Sequence, residues 1–384
     1  MSLTSVVLSV LTGNQTRLAF VFLEVFAWEG GIQSYIKDVL TAYLAEPTSP
    51  PADVFLLRDS QACENPFAGE KLTFHYLESS NAIIGRLRLA AGLLRNLLRQ
   101  RYSHVICGHV LLSPLVGPLC HYFGVPYTAM IYGKEVWETV PQQQQIALQK
   151  AASLWVNSRY SRDMACAANH LQKLPTHMLP CIVNPQTFTP GQPNPKLVAR
   201  YGLEGNRVLM TVARLWPGDI YKGVDITIQA LPKILTLFPE VKYLVIGRGD
   251  DQPRLEQLAQ DLGVRDRVIF AGFVPDEELV EHYRLADAYV MPSKEGFGIV
   301  YLEAMACGVP ALSGNDDGSA DPLQDGRTGW RVPHRDVEAV AQACIEILKG
   351  EDIRCDGQWL RQQVIESFSP SSLQKAMGQL LPKL

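Results

Sequence analysis

Short runs of β-branched and aromatic residues alternate with longer helix-patterned stretches along this chain, and the alternation occurs twice, on either side of a proline-rich interval. Strand, helix, strand in repetition imposes a mainly parallel sheet, because parallel neighbours need a long crossover and a helix is the usual one. The first series holds RLAFVFLEV (17–25), a helix-like stretch after Gly30-Gly31, DVFLLR (53–58), a helix from about Ile83 to Arg101 and SHVICGHV (103–110). It continues with a helix after Pro114, PYTAMIY (126–132), a helix over Gln142–Ala152 and SLWVNS (153–158). The second series holds the runs RVLMTVA (207–213), VKYLVIG (241–247), RVIFAGF (267–273), DAYVMPS (287–293) and VPALSG (309–314). Helical patterns lie between and after them at Val224–Leu237, Pro253–Leu262, Asp276–Leu285, Ile299–Cys307 and Val337–Leu348.

Between Lys173 and Asn206 the pattern lapses, and LPTHMLPCIVNPQTFTPGQPNP carries six prolines. Proline removes backbone donors and stiffens the chain, so this interval reads as an inter-domain linker. The expected fold class is α/β, with two doubly wound Rossmann-like domains facing a central cleft. Ligands in such sheets bind at the carboxyl ends of the strands.

The length, 384 residues, fits two domains of ordinary size, and 47% hydrophobic residues allow each a core. A formal net charge of −4 argues against a nucleic-acid binder. None of the eight cysteines forms a C-x-x-C pair, and several sit in apolar runs, such as Cys107 and Cys307. They read as reduced buried thiols rather than a disulfide or zinc framework. The N-terminus lacks a secretory pattern, and Leu18–Val25 is too short to span a bilayer. The expected location is cytoplasmic, with peripheral contact to the inner face of the cell membrane left open.

The densest constellation is SKEGFGIVYLE (293–303), where a strand ends, a Gly-rich loop follows and a helix begins. Free amides and the dipole at a helix start suit an anion. Glu295 on the loop and Glu303 inside the helix suit polyols, one a sugar and the other a ribose. A plain turn with solvated acids explains the same residues equally well. Arg214, after one strand, and Lys222, before the next helix, bracket one loop, and together they suit a diphosphate. Solvated surface cations are the bland alternative. Gly30-Gly31 and Gly247-Arg248-Gly249 read as tight turns by default, and as ligand-facing loops if the other groups converge.

With these residues in view, the chain closely resembles the retaining glycosyltransferases of family four (glycosyl transferases group one), which have the GT-B fold. The resemblance rests on Glu295 and Glu303, seven residues apart within KEGFGIVYLEAMACGVPAL, and on VARLWPGDIYKG, VIGRGDDQPRLEQLAQDLGVRDRVIFAGFV and DGRTGWRV. It extends more loosely to NSRYSRD (157–163) and IVNPQTFTP (182–190). It implies an N-terminal acceptor-side domain over 1–185, a donor-binding domain over 186–366 and a last segment, 367–384, that returns to the first domain.

The resemblance further implies that Arg214 and Lys222 bind the donor diphosphate and Glu303 the ribose. Glu295, Phe297 and Gly298 would face the sugar, with the backbone at Ile299 and Val300 near the phosphates. Phe273 and Val274 would lie by the base, with Arg248 also on the donor side, and Gly31 would approach the phosphate from the other domain. Many members carry a histidine near the transferred sugar, where this chain has Tyr132 in AMIYGKEVW. Tyrosine is a poor base at neutral pH. His109 is the candidate to compensate, although a lone histidine near a strand end is by default structural.

The implied reaction is hexosyl transfer with retention, from a nucleotide-sugar donor (a UDP-glucose-like sugar preferred) to a glycan, lipid-linked or small-molecule acceptor. The setting would be polysaccharide or envelope glycan synthesis. No D-x-D sequence occurs. Transfer without a metal or other cofactor is therefore expected, with Arg214, Lys222 and the helix start neutralising the diphosphate. A sugar-nucleotide epimerase and a degenerate member that binds nucleotide sugar without transfer are the alternatives. A dehydrogenase is disfavoured, since no G-x-G-x-x-G follows the first strand of either half.

The helix near 83–101 carries Arg88, Arg95 and Arg99 on one face, and Leu87, Leu89, Leu93, Leu94, Leu97 and Leu98 on a broad opposite arc. A membrane-surface helix and a packing helix share this pattern. Packing is the preferred reading, because membrane binding needs exposed apolar surface.

Overall fold

The computed structural model describes residues 17–28, 30–69, 71–99 and 102–383. The stretch before Arg17, on which part of the leader expectation rests, lies outside them, as does the predicted helix end at Arg101. The chain divides into two compact units. One runs as far as Cys181 and resumes at Pro370; the other is Ile182–Ser369.

The first unit contains β1 (Arg17–Phe22), α1 (Gly31–Ala45), β2 (Ala52–Leu56), β3 (Leu72–Tyr76), α2 (Ala82–Arg99) and β4 (Tyr102–Cys107). After these come α3 (Ser113–Phe123), β5 (Tyr127–Ile131), α4 (Gln142–Gln149), β6 (Ser153–Val156), α5 (Arg159–Asn169) and β7 (Thr176–Met178). The sheet order is β3-β2-β1-β4-β5-β6-β7, with parallel pairing at each step. β1, beside the centre, is buried from Leu18 to Phe22. β2, β5 and β6 read as continuous buried runs, as parallel strands covered on both faces do.

The second unit contains α6 (Pro195–Tyr201), β8 (Arg207–Val212), α7 (Val224–Leu235), β9 (Val241–Ile246), α8 (Gln252–Asp261) and β10 (Val268–Gly272). It continues with α9 (Asp276–Tyr283), β11 (Ala288–Met291), α10 (Ile299–Ala306), β12 (Ala311–Gly314), β13 (Trp330–Val332), α11 (Val337–Lys349) and α12 (Gly357–Phe368). Its sheet order is β10-β9-β8-β11-β12-β13, again parallel throughout. α7 buries Ile226, Leu231 and Ile234 and packs along α11. The last helix, α13 (Pro370–Leu380), belongs to the first unit and lies on α1.

The interval 173–206, expected to be irregular, holds both β7 and α6. β7 is three residues pinned by pairing with β6, and α6 starts on Pro195 with Asn194 as its cap. Proline at the first helical turn costs no hydrogen bond, so here it opens a helix rather than preventing one.

In each sheet the winding reverses beside the first strand. β8 has β9 on one side and β11 on the other, so the connections after β8 and β11 leave in opposite directions. The loops carrying Arg214 and Glu295 are those two connections. No described helix is long and apolar enough to cross a membrane.

Candidate active site

In the second unit the loop after β8 runs through a 3-10 turn, Pro217–Lys222, before α7 begins. Lys222 reaches across to the loop after β11 and forms an ion pair with Glu295, each side chain about one-sixth exposed. Arg214, at the other end of the same loop, is largely exposed and pairs with Asp219 at 3.1 Å. Tyr221 connects the two pairs: its ring lies against the Lys222 ammonium, and its phenol hydrogen-bonds Asp219. Asp219 and Tyr221 are therefore part of the site, although neither was singled out in the sequence. Their only signal was their place between the two cations.

The Glu295 loop is held from behind. Asp317, after β12, accepts the Glu295 N–H at 2.7 Å, and the Gly318 N–H donates to the Glu295 carbonyl at 2.8 Å. Burial pushes the Asp317 carboxyl up to about 6, against hydrogen bonds from the backbone of Glu295 and from Ser319. The loop ends at Gly298, whose left-handed φ of 91° turns the chain into α10, leaving amides near Ile299 and Val300 without a side-chain cap. Phe297 departs from expectation as a side chain. Its ring is 3% exposed and packs against Phe368, so only its backbone remains available on the loop.

Glu303 sits more than one turn into α10 and accepts from the Tyr283 phenol at 2.7 Å. Burial pushes its carboxyl up to about 7, with the Tyr283 bond working the other way. Phe273, after β10, is 62% exposed, with the Arg248 guanidinium 4.9 Å from its ring centre; Val274 beside it is buried. The Arg248 carbonyl accepts from Leu215, so the Gly247–Gly249 run also braces the Arg214 loop. Arg214 borders a cavity of about 10 Å³, room for one water at most. Among the described residues, no three His, Cys, Asp or Glu side chains gather as metal ligands.

In the first unit Gly31 opens α1, which has no side-chain cap, and a methyl built on Gly31 meets nothing within 4 Å. Packing alone thus gives no reason for glycine there. Tyr132 is buried and its hydroxyl donates to the Gly108 carbonyl at 2.6 Å. That bond uses its proton, and burial holds the phenol well above its ordinary range. His109, whose ring centre is 6.2 Å from that of Tyr132, caps a short turn by accepting the Leu111 N–H on Nδ1 at 3.1 Å. The neutral ring then carries its proton on Nε2. Burial lowers its pKa despite the nearby Glu135, so neutrality is the favoured state.

Also in this unit, a cavity of about 520 Å³ lies at the carboxyl ends of the strands, lined by Arg58, Ser79, Arg86, Leu112 and Gln144 among others. Arg58 is paired with Glu24 at 2.9 Å.

Two parallel-sheet units of this kind, with loops bearing Arg214, Lys222 and Glu295 at the switch point of the second, have the GT-B fold. Residues 195–360 match the family model of glycosyl transferases group 1. A GDP-mannose-dependent alpha-(1-6)-phosphatidylinositol monomannoside mannosyltransferase of Mycolicibacterium smegmatis is 34% identical over 249 residues, covering 61% of this chain and 64% of that protein. A GDP-mannose-dependent monoacylated alpha-(1-6)-phosphatidylinositol monomannoside mannosyltransferase of Corynebacterium glutamicum is 28% identical over 341 residues, covering 83% and 85%. The match to further such relatives spans about half their length. Among solved structures, a sucrose-phosphate synthase of Thermosynechococcus elongatus aligns with a TM-score of 0.75 at 21% identity, over 96% of this chain and 99% of that one.

Proposed function

We propose that this chain is a retaining, metal-independent hexosyltransferase that uses a GDP-mannose-like donor and a lipid-borne polyol or glycan acceptor. The observation that carries the reading is the meeting of Lys222 with Glu295 across two loops at the switch point of the second sheet. In the free protein each cation of this loop rests on a carboxylate, Arg214 on Asp219 and Lys222 on Glu295. An incoming diphosphate competes for both cations and releases both acids. Glu295 is then free to accept from sugar hydroxyls, which makes it a positioning group rather than a nucleophile.

The sugar–oxygen bond of the donor breaks with its electron pair going to the diphosphate, and the acceptor hydroxyl bonds to the same face of that carbon. Tyr132 has its proton committed to Gly108, so the departing diphosphate oxygen is the better base for the acceptor's proton. Arg214, Lys222 and the α10 amides stabilise the charge that grows there. The family resemblance alone favoured a UDP-glucose-like donor, not any residue of this chain; the GDP-mannose named for the relatives above moves the preference to GDP-mannose.

A panel of GDP-, UDP- and ADP-sugars, read by nucleotide release from the purified protein with and without lipid acceptors, tests this. Release from GDP-mannose, lost in Arg214→Ala and Glu295→Ala, is the expected outcome. Release from UDP-glucose alone would reverse the donor assignment, and transfer abolished by chelator and restored by manganese would remove metal independence. A chain that binds a donor nucleotide yet turns over none of the panel would favour the degenerate reading, for which the committed Tyr132 phenol is the physical basis.

Glu303 supplies a separate prediction. Its carboxyl, at about 7, is part-protonated near neutrality. Ribose hydroxyls donating to it favour the ionised form, so nucleotide binding releases protons. Affinity for GDP is expected to rise between about pH 6 and 8, and calorimetry in buffers of different ionisation enthalpy should register the protons. Glu303→Gln should flatten both. An unchanged pH dependence in that variant would separate Glu303 from the nucleotide.

A further inference from the structure

The leucines of α2 are split in the folded protein. Leu89, Leu93 and Leu97 are buried in the first unit's core. Leu87 and Leu98 are 63% and 68% exposed, Ile83 is 68% exposed, and Ile84 and Leu94 join them on the surface. At 3.6 residues per turn these five fall within about 100° of arc, one continuous apolar stripe along a helix about 27 Å long. Arg88, Arg95 and Arg99 border it, and α2 contains no acidic residue. Arg88 donates to the Glu78 carbonyl, while Arg95 and Arg99 make no ion pair among the described residues. In a chain whose net charge is −4, this is a local cationic strip beside exposed apolar surface.

We propose that this face of α2 docks the protein on an anionic membrane surface, the helix lying flat with the stripe among the acyl chains and the arginines at the headgroups. The chemistry selects this occupant. A helix-binding protein groove would bury the stripe but leave a run of arginines needing acids, whereas an anionic bilayer satisfies both at once. The first turn of α2 supplies Ala82, Gly85 and Arg86 to the wall of the 520 Å³ cavity at the strand ends. A bilayer lying along α2 therefore borders that cavity, where a lipid's polar head could enter without leaving the membrane. This goes with the lipid-borne acceptor proposed above, but docking is measured without donor or turnover. Failure of either reading leaves the other intact.

The test is co-sedimentation of the full chain with vesicles of phosphatidylcholine alone or mixed with phosphatidylglycerol. Binding to the mixed vesicles is expected to be at least about tenfold tighter, since each arginine near an anionic surface contributes roughly fivefold, and to weaken with salt. Leu87→Ser with Leu94→Ser and Leu98→Ser should abolish it, and Arg95→Glu with Arg99→Glu should weaken it at least about tenfold. All five positions are at the surface, so thermal unfolding should stay within a few degrees of the parent. No binding, equal binding to neutral vesicles, or binding indifferent to both variants overturns the proposal. So does a dimer in analytical ultracentrifugation that the serine substitutions dissociate, which would assign the stripe to a second copy.

Discussion

Lys222→Ala is expected to lower turnover of the donor sugar by about 10²–10³-fold, the loss found when one preorganised group facing a developing oxyanion is removed. Lys222 is only 17% exposed, and its one charged partner among the described residues is Glu295. A cation held that far from solvent acts on a diphosphate through a medium of lower dielectric than water, so its removal costs more than that of a surface lysine. Arg214, 73% exposed, is screened more and should matter less in turnover than in affinity. Lys222→Ala also leaves Glu295 unpaired, so a structural explanation must be separated from a chemical one. A double-mutant cycle with Glu295→Gln does this. If the pair only holds the two loops together, the double variant should recover stability and activity together. If Lys222 serves the diphosphate, thermal stability recovers but turnover does not. Turnover within about threefold of the parent in Lys222→Ala would remove the lysine from the mechanism.

Gly318→Ala should be nearly as damaging, by a different route. A methyl at Gly318 would stand 1.9 Å from the Gly296 carbonyl oxygen, and backbone on both sides leaves no flexible side chain to yield. The loops after β11 and β12 must separate. The hydrogen bonds that Glu295 makes with Asp317 and Gly318 go with that movement. Overpacking of this kind costs about 1–3 kcal/mol of stability. Displacing the Glu295 loop by about 1 Å should cost roughly 10²-fold in turnover. Denaturant unfolding and steady-state kinetics on one preparation would show both. A stable, active Gly318→Ala protein would mean that the backbone contact is not maintained in solution. Asp317→Asn makes a milder comparison, since its one amide oxygen can still accept from the Glu295 N–H, while the charge and the acceptance from Ser319 on the other oxygen are lost.

The alternation that organises both sheets was visible because central parallel strands are buried on both faces and so read as unbroken apolar runs, as in LAFVF of β1. Three of the four edge strands were not visible, β10 being the exception as RVIFAGF. β3 is a half-exposed LTFHY, and β7 and β13 are three residues each, too short to carry a period. Arg214, Lys222 and Glu295 could be placed from sequence because each sits at a strand end or helix start, and Glu303 because it lies a turn farther into the helix that follows Gly298. Which partner each would hold could not, since Lys222 meets Glu295 across 73 residues. Phe297 shows the same limit: a phenylalanine between two glycines reads as a loop side chain offered to a ligand, and only the distant Phe368 explains why it turns inward. The leucines of α2 show it again, for periodicity gave the arc and not which half of it the β-sheet would cover.

α13 completes the first unit from the far end of the chain: Leu373, Met377 and Leu380 are buried there, Gln374 donates to the Ala45 carbonyl at the end of α1, and Gly378 comes up against Glu46. During synthesis the ribosome therefore releases every strand of both sheets before this helix exists. The second unit can close on its own residues while the first, made earlier, still has an open flank along α1. The unit that emerges first is the one that finishes last, and its final folding step waits for a helix made after the whole of the second unit.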